Sequence, residues 1–222
     1  MTVMEMKERE MTPGESVRLI ASMIESTRMR LTKGEGNMLL FWGYLCVAVA
    51  VLVYIGNMWC IKNGGGGLWI SQLLWWLIPV VGIPYTLAVS RRNRGKRGAI
   101  SYSDRLSASL WSYVLWLALA TFVIGAFFFV SGFRVWYVFQ LFAFFVVGMA
   151  ASFQGIIIRE KSMVWGGGFS VVCGGFLVAG VLSGASMLTV FSTPLFIISF
   201  VVMMIIPGYI LNHKASKEDE RA

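Results

Sequence analysis

The side chains that could do chemistry are few in this chain, and their positions matter more than their number. There is one histidine, His213, in a polar stretch near the C-terminus. A Ser–His pair or a zinc site with two histidines cannot be assembled from it. The cysteines Cys46, Cys60 and Cys173 are scattered, with no spacing that suggests a disulfide framework or a metal knuckle. Cys46 and Cys173 fall in apolar stretches and read as buried thiols, and Cys60 stands at the outer end of the first such stretch. All 11 Asp and Glu residues lie outside the apolar stretches. Proton relays and many ion-coupled carriers depend on ionisable groups inside the membrane, so a pump or proton-coupled transporter is disfavoured. The same shortage leaves no nucleophile–base, metal or cofactor constellation, and the expectation is a non-enzymatic protein without a cofactor.

The strongest constellation is a charge cluster. Ser90–Arg105 holds Arg91, Arg92, Arg94, Lys96, Arg97 and Arg105, opposed by Asp104 alone. Apolar, helix-length stretches flank it on both sides. Basic loops beside membrane spans stay in the cytoplasm, so this loop fixes the orientation of the rest. The net charge of +8 is therefore no sign of nucleic-acid binding. The basic residues stand at span ends, where orientation and anionic lipid headgroups account for them.

The elements that position these groups follow from composition. The chain is 57% hydrophobic and 14% charged, against about 25% charged in soluble domains. Six apolar stretches read as transmembrane helices over 38–58, 68–89, 107–130, 135–158, 163–182 and 190–211. The expected fold is an all-α polytopic membrane domain over 38–211, six helices in three hairpins. Residues 1–11 are expected to be disordered, and 212–222 to form a charged cytoplasmic tail. Seventeen of the 19 Lys and Arg residues fall on one side of this layout; only Lys62 and Arg134 fall on the other. Both termini are thus expected in the cytoplasm.

Residues 12–34 read as an amphipathic cytoplasmic helix. Thr12 can cap it, Pro13 suits its first turn, and Glu15 completes a capping box. At about 100° per residue, Val17, Ile20, Met23, Ile24 and Leu31 share one face. Such a helix can pack on the protein's own cytoplasmic ends, lie on the lipid surface, or dock on a protein partner. It is expected to stop at Gly34–Gly36. Pro79 and Pro84 are expected to kink the inner half of span 2. Gly64–Gly67 reads as a flexible turn; Leu68-Trp69 follows it where a phosphate loop needs Gly-Lys-Ser/Thr.

Polar residues inside the spans are uncharged. Gln140 and Gln154, 14 residues apart, differ by about 40° around a regular helix and would share a face of span 4. With Gln72, Pro79 and Pro207 they are candidates for lining a solute path; the alternative is hydrogen bonding between helices. Gly166, Ser170 and Gly174 sit four apart in span 5, and Gly180 and Gly184 repeat the interval. Small residues at that spacing let helix backbones approach closely, within one chain or between two copies in a homo-oligomer. The odd spans open alike, with Trp42-Gly43-Tyr44, Trp111-Ser112-Tyr113 and Trp165-Gly166-Gly167. Hairpin duplication explains this, and so does the general preference of Trp and Tyr for membrane interfaces.

Three stretches carry a resemblance. They are Glu15-Ser16-x-x-Leu19-Ile20-x-x-Met23-Ile24, Leu40-Phe41-Trp42-Gly43-Tyr44, and Ile205-Ile206-Pro207-Gly208-Tyr209-Ile210-Leu211. With them the chain, from Thr12 on, resembles a group of uncharacterised six-span inner-membrane proteins of Bacteroides-type bacteria. The resemblance implies a bacterial inner membrane and a six-span layout, and transfers no functional residue. The functional expectation is an interaction or regulatory protein working through its cytoplasmic surface, in contact with anionic lipid headgroups and a cytoplasmic protein partner. The alternative is a small carrier or channel for a neutral or amphipathic solute, lined by spans 2, 4 and 6.

Overall fold

The structure, a computed structural model, describes residues 13–63, 71, 73–94, 102–130, 136–184 and 191–219. The expected disordered segment, Thr12, the glycine run and the turns after spans 3 and 5 lie outside these. The helices are α1 (Pro13–Lys62), α2 (Leu77–Arg94) after a 3₁₀ turn at Leu74–Trp76, α3 (Tyr102–Val130), α4 (Trp136–Phe142), α5 (Gly148–Ile157), α6 (Lys161–Leu182), α7 (Ser192–Phe200) and α8 (Ile206–Asp219). Six helical stretches are long and apolar enough to cross a membrane, which fits a multi-pass membrane protein: Gly36–Lys62, Leu74–Arg92, Arg105–Phe128, Val138–Ile157, Lys161–Leu182 and Ser192–Lys217. They are spans 1 to 6 below. A helix satisfies its backbone groups internally, which the interior of a bilayer demands.

Packing runs in a fixed order. Span 1 lies between spans 2 and 6, span 6 between 1 and 5, span 5 between 6 and 4, and span 3 rests on span 4. The tightest pairs are 4 with 5 and 1 with 6, so the closest contacts fall between the expected hairpins. Spans 2 and 3 are peripheral, with 6% of their apolar windows buried against 33–44% for the other four. The core contains Phe144, Leu177, Phe196, Phe200 and Met203, all nearly inaccessible. Its rings interlock: Phe196 stacks on Phe200 at 4.2 Å between centroids and meets Phe144 edge-on at 5.9 Å.

Span 5 is wedged into this core by its small residues. A Cβ on Gly166 would lie 2.6 Å from the Val202 carbonyl oxygen of span 6. A Cβ on Gly174 would lie 2.9 Å from the Phe144 Cβ of span 4. Ser170 is fully buried between them and donates a 3.1 Å hydrogen bond to the Phe144 carbonyl. Span 4 answers with Gly148 and Gly155, whose added Cβ atoms would crowd Ser170 and Val164. Gly180 is buried on the same helix. These are close backbone contacts of the kind small residues permit in membranes.

Four expectations need correction. Gly34–Gly36 does not stop the first helix, which runs unbroken from Pro13 to Lys62. A helical glycine costs about 1 kcal/mol. Against that, Gly36 packs directly on Asn212 and lies within reach of the Gly208 carbonyl oxygen. Gly184 does not join the packing stripe. It follows the end of span 5 with φ +65° and open space around it, in the left-handed conformation that glycine adopts freely when it closes a helix. Span 2 departs from α geometry at the 3₁₀ turn Leu74–Trp76, while Pro84 sits inside continuous helix. Pro79 is the cause: its ring crowds the carbonyl four residues back, at Trp75, and the turn before it tightens.

The fourth correction concerns Gln140 and Gln154. A π turn, Ala143–Val147, lies between them. One extra residue in a turn rotates everything beyond it by about 100°. Their expected separation of about 40° thus becomes about 140°, and they no longer share a face. Span 6 has a matching π turn at Val201–Ile205. Both face the small-residue edge of span 5.

Candidate interaction surface at the basic end

The charge cluster is built from two helix ends. Arg91 and Arg92 are exposed in the last turns of α2, which ends at Arg94. Positive charge suits a helix C-terminus, where the macrodipole is negative. Arg105 is exposed in the first turn of α3, the end where the dipole disfavours it. Lys96 and Arg97 lie outside the described residues.

Two of the motif stretches, 40–44 and 205–211, meet beside this cluster, together with the inner half of α2. Phe41 stacks on Tyr85 at 3.7 Å between centroids. The Trp42 indole N–H donates to the Thr86 hydroxyl at 3.1 Å, and Gly82 lies against the Trp42 ring. The phenol oxygens of Tyr44 and Tyr209 are 2.6 Å apart. A Cβ on Gly43 would lie 2.8 Å from the Ile205 side chain, and one on Gly208 would lie 2.8 Å from Leu40. One turn further toward the charged end, the Asn212 side-chain N–H donates to the Asn37 oxygen at 2.8 Å. The opening of span 1 and the closing of span 6 are therefore one packed unit. Pro207 is fully buried there.

Glu160 fixes the turn between spans 4 and 5 to the end of span 6. Its carboxylate accepts a 2.5 Å ion-pair contact from Lys214 Nζ and a 3.0 Å hydrogen bond from the Ser162 hydroxyl. Burial alone would raise its pKa. The Lys214 and Ser162 hydrogen bonds and the Lys214 charge outweigh that and hold it below the usual glutamate range. Glu160 also stands at the N-terminus of α6, where negative charge is favoured. Arg159, just before it, has φ 57°.

Above this surface α1 continues. Pro13–Lys62 is 50 residues long, about 75 Å at 1.5 Å per residue. Span 1 begins at Gly36, so roughly 35 Å of helix leads away from the basic end. Val17, Ile20 and Ile24 lie on that stretch and share a face by their spacing. An unbroken helix cannot turn to lie flat on the surface its own span crosses.

The candidate path residues are not brought together. Gln72 lies outside the described residues. Pro79 is half-buried in the first turn of α2. The Gln140 amide donates to the Ser192 hydroxyl of span 6 at 3.5 Å, the inter-helix bond that was the alternative to a path. Gln154 is 4% exposed within the packed core of span 4.

A separate groove of about 460 Å³ runs between spans 3 and 4 at the basic end. Its walls are Leu106, Leu110 and Tyr113 from span 3 and Phe153, Ile156 and Ile157 from span 4. Neither the groove nor the π turns could be read from the sequence, since both arise from how helices cross and twist. Among the described residues, no three His, Cys, Asp or Glu side chains gather as a metal-binding set.

No protein family, curated protein or solved structure matches this chain. The resemblance drawn from the three motif stretches therefore stands on those residues alone.

Proposed function

We propose that this is a non-enzymatic interaction or regulatory protein of a bacterial inner membrane, working through the end that carries its charge. In this reading the spans cross the membrane with both termini and the Ser90–Arg105 loop in the cytoplasm. The charge distribution supports that orientation, with 17 of 19 Lys and Arg residues on one side. The surface offered to the cytoplasm comprises the projecting helix, the basic loop and the Glu160–Lys214 clamp. Anionic headgroups are its lipid partners, and a cytoplasmic protein is its partner on the helix.

The observation that carries the reading is the continuity of α1. An amphipathic helix joined to span 1 without a break is a rigid arm, held at its base by Gly36, Asn37 and Asn212. A partner gripping Val17, Ile20 and Ile24 would be coupled mechanically to the 1–6 unit. The test is gentle purification of the tagged protein from native membranes, with and without residues 1–33, followed by mass spectrometry. A stoichiometric partner lost with the arm supports the reading. Identical partners and phenotype without the arm reject it.

A further inference from the structure

We propose that the groove between spans 3 and 4 is a binding site for one anionic phospholipid, with an acyl chain in the groove and the phosphate on Arg105 and Arg159. The groove's walls are almost wholly apolar, and its 460 Å³ is within the range of ligand clefts, about 300–1,000 Å³. From Leu106 to Tyr113 it descends about 10 Å along span 3, which places it in one leaflet. Tyr113, Phe153 and Ile156 are 51–69% exposed, so the groove opens sideways to lipid rather than into the bundle.

Charge complementarity selects the occupant. Arg105 directly precedes Leu106, and Arg159 follows Ile157 by two residues, so each wall of the groove leads into an exposed arginine at the basic end. Both are exposed, and neither forms an ion pair among the described residues. The carboxylate next to Arg159, Glu160, is already engaged by Lys214 and Ser162 and does not neutralise it. Local preference opposes both positions. Arg105 sits at the positive end of a helix, and Arg159 takes a left-handed conformation usually left to glycine. A phosphate shared between them supplies the compensating interaction, and the acyl chain removes exposed apolar wall from an otherwise unfilled cleft.

The inference rests on the spans crossing a bilayer and is independent of any protein partner on the projecting helix. It is tested with the full-length protein by native mass spectrometry. The protein is titrated with phosphatidylglycerol and phosphatidylcholine carrying the same acyl chains. Each basic side chain near anionic lipid is worth about a fivefold preference. The wild type should therefore retain one phosphatidylglycerol with a preference on the order of 25-fold. Arg105→Gln with Arg159→Gln should bring the two lipids close to parity, and Lys62→Gln, exposed at the opposite end of span 1, should leave the preference standing. Ser109→Phe, which fills the groove from its wall, should abolish the retained lipid while both arginines remain. The proposal is overturned if the wild type shows no preference, or if the preference survives loss of Arg105 and Arg159. It is also overturned if Lys62→Gln lowers the preference equally, or if Ser109→Phe keeps its lipid.

Discussion

Tyr44 and Tyr209 are 165 residues apart in sequence, and their phenol oxygens lie 2.6 Å apart. The pair joins the opening of span 1 to the closing of span 6. Both rings are exposed on the outside of the bundle, and the bond adds to the glycine contacts of Gly43 and Gly208 beside it. Replacing either tyrosine by phenylalanine removes one oxygen and keeps the ring. Tyr44→Phe and Tyr209→Phe should each lower Tm in detergent by about 1–3 °C. The double variant should lower it no further than either single one. Additive losses would show that the two hydroxyls act separately.

The glycines of span 5 divide into two classes, and substitution by alanine should separate them. Gly166 faces the span 6 backbone and Gly174 the Phe144 Cβ at under 3 Å from an added Cβ, whereas Gly168 and Gly175 face open space. Gly166→Ala should destabilise by about 1–3 kcal/mol, because the Val202 carbonyl belongs to backbone and cannot swing aside. Gly168→Ala and Gly175→Ala should be neutral or stabilising by up to about 1 kcal/mol, through helix propensity. Thermal unfolding of the purified variants measures both. Equal losses at all positions would contradict the packing of span 5.

The Glu160–Lys214 clamp predicts an acid-side loss of stability. A carboxyl held below its ordinary pKa in the folded state contributes stability above the unfolded value, about 4.3 for glutamate. That contribution disappears as pH falls through the lower folded value. Lys214 is 53% exposed, so solvent screening limits the pair to about 0.5–1 kcal/mol. Glu160→Gln should lower Tm by about 1–4 °C at pH 7. It should also flatten the decline in Tm between roughly pH 5 and pH 3 relative to wild type. An unchanged acid-side slope in the variant would mean that Glu160 is not clamped.

Some of this architecture is legible in the sequence, and the division follows physical range. Gly166, Ser170 and Gly174 can be read because their four-residue interval defines one helix face with no outside information. The six spans can be read because length and apolarity are properties of the chain alone. The π turn at Ala143–Val147 cannot, because those five residues suit an α-helix as well, and the extra residue is settled by the fit against Ser170 and Gly174. Gly34 and Gly36 mislead for the related reason that their cost is local while the contact of Gly36 with Asn212 spans the chain. The basic cluster is plain in the sequence, but that Arg105 and Arg159 flank the two walls of one groove follows only once spans 3 and 4 lie side by side.

The continuity of α1 leads to a distance. Gly14 and Leu52 lie on one unbroken helix, and Leu52 is 49% exposed, so a spin label there disturbs little packing. Thirty-eight residues at 1.5 Å give about 57 Å between the two backbone positions, slightly less if the helix curves. A helix that stopped near Glu35 and turned a right angle onto the membrane surface would bring the same positions to about 41 Å. The gap exceeds the reach of two flexible labels. Pulsed electron paramagnetic resonance on a Gly14→Cys/Leu52→Cys pair, with Cys46, Cys60 and Cys173 replaced by Ser or Ala, should therefore give a single population near the longer value. The substitution Gly34→Pro should move it toward the shorter one, because proline removes a helix hydrogen bond and bends the chain at that point. If the unmodified arm already gives about 41 Å, it lies on the membrane, and the docking role proposed for Val17, Ile20 and Ile24 passes to the lipid surface.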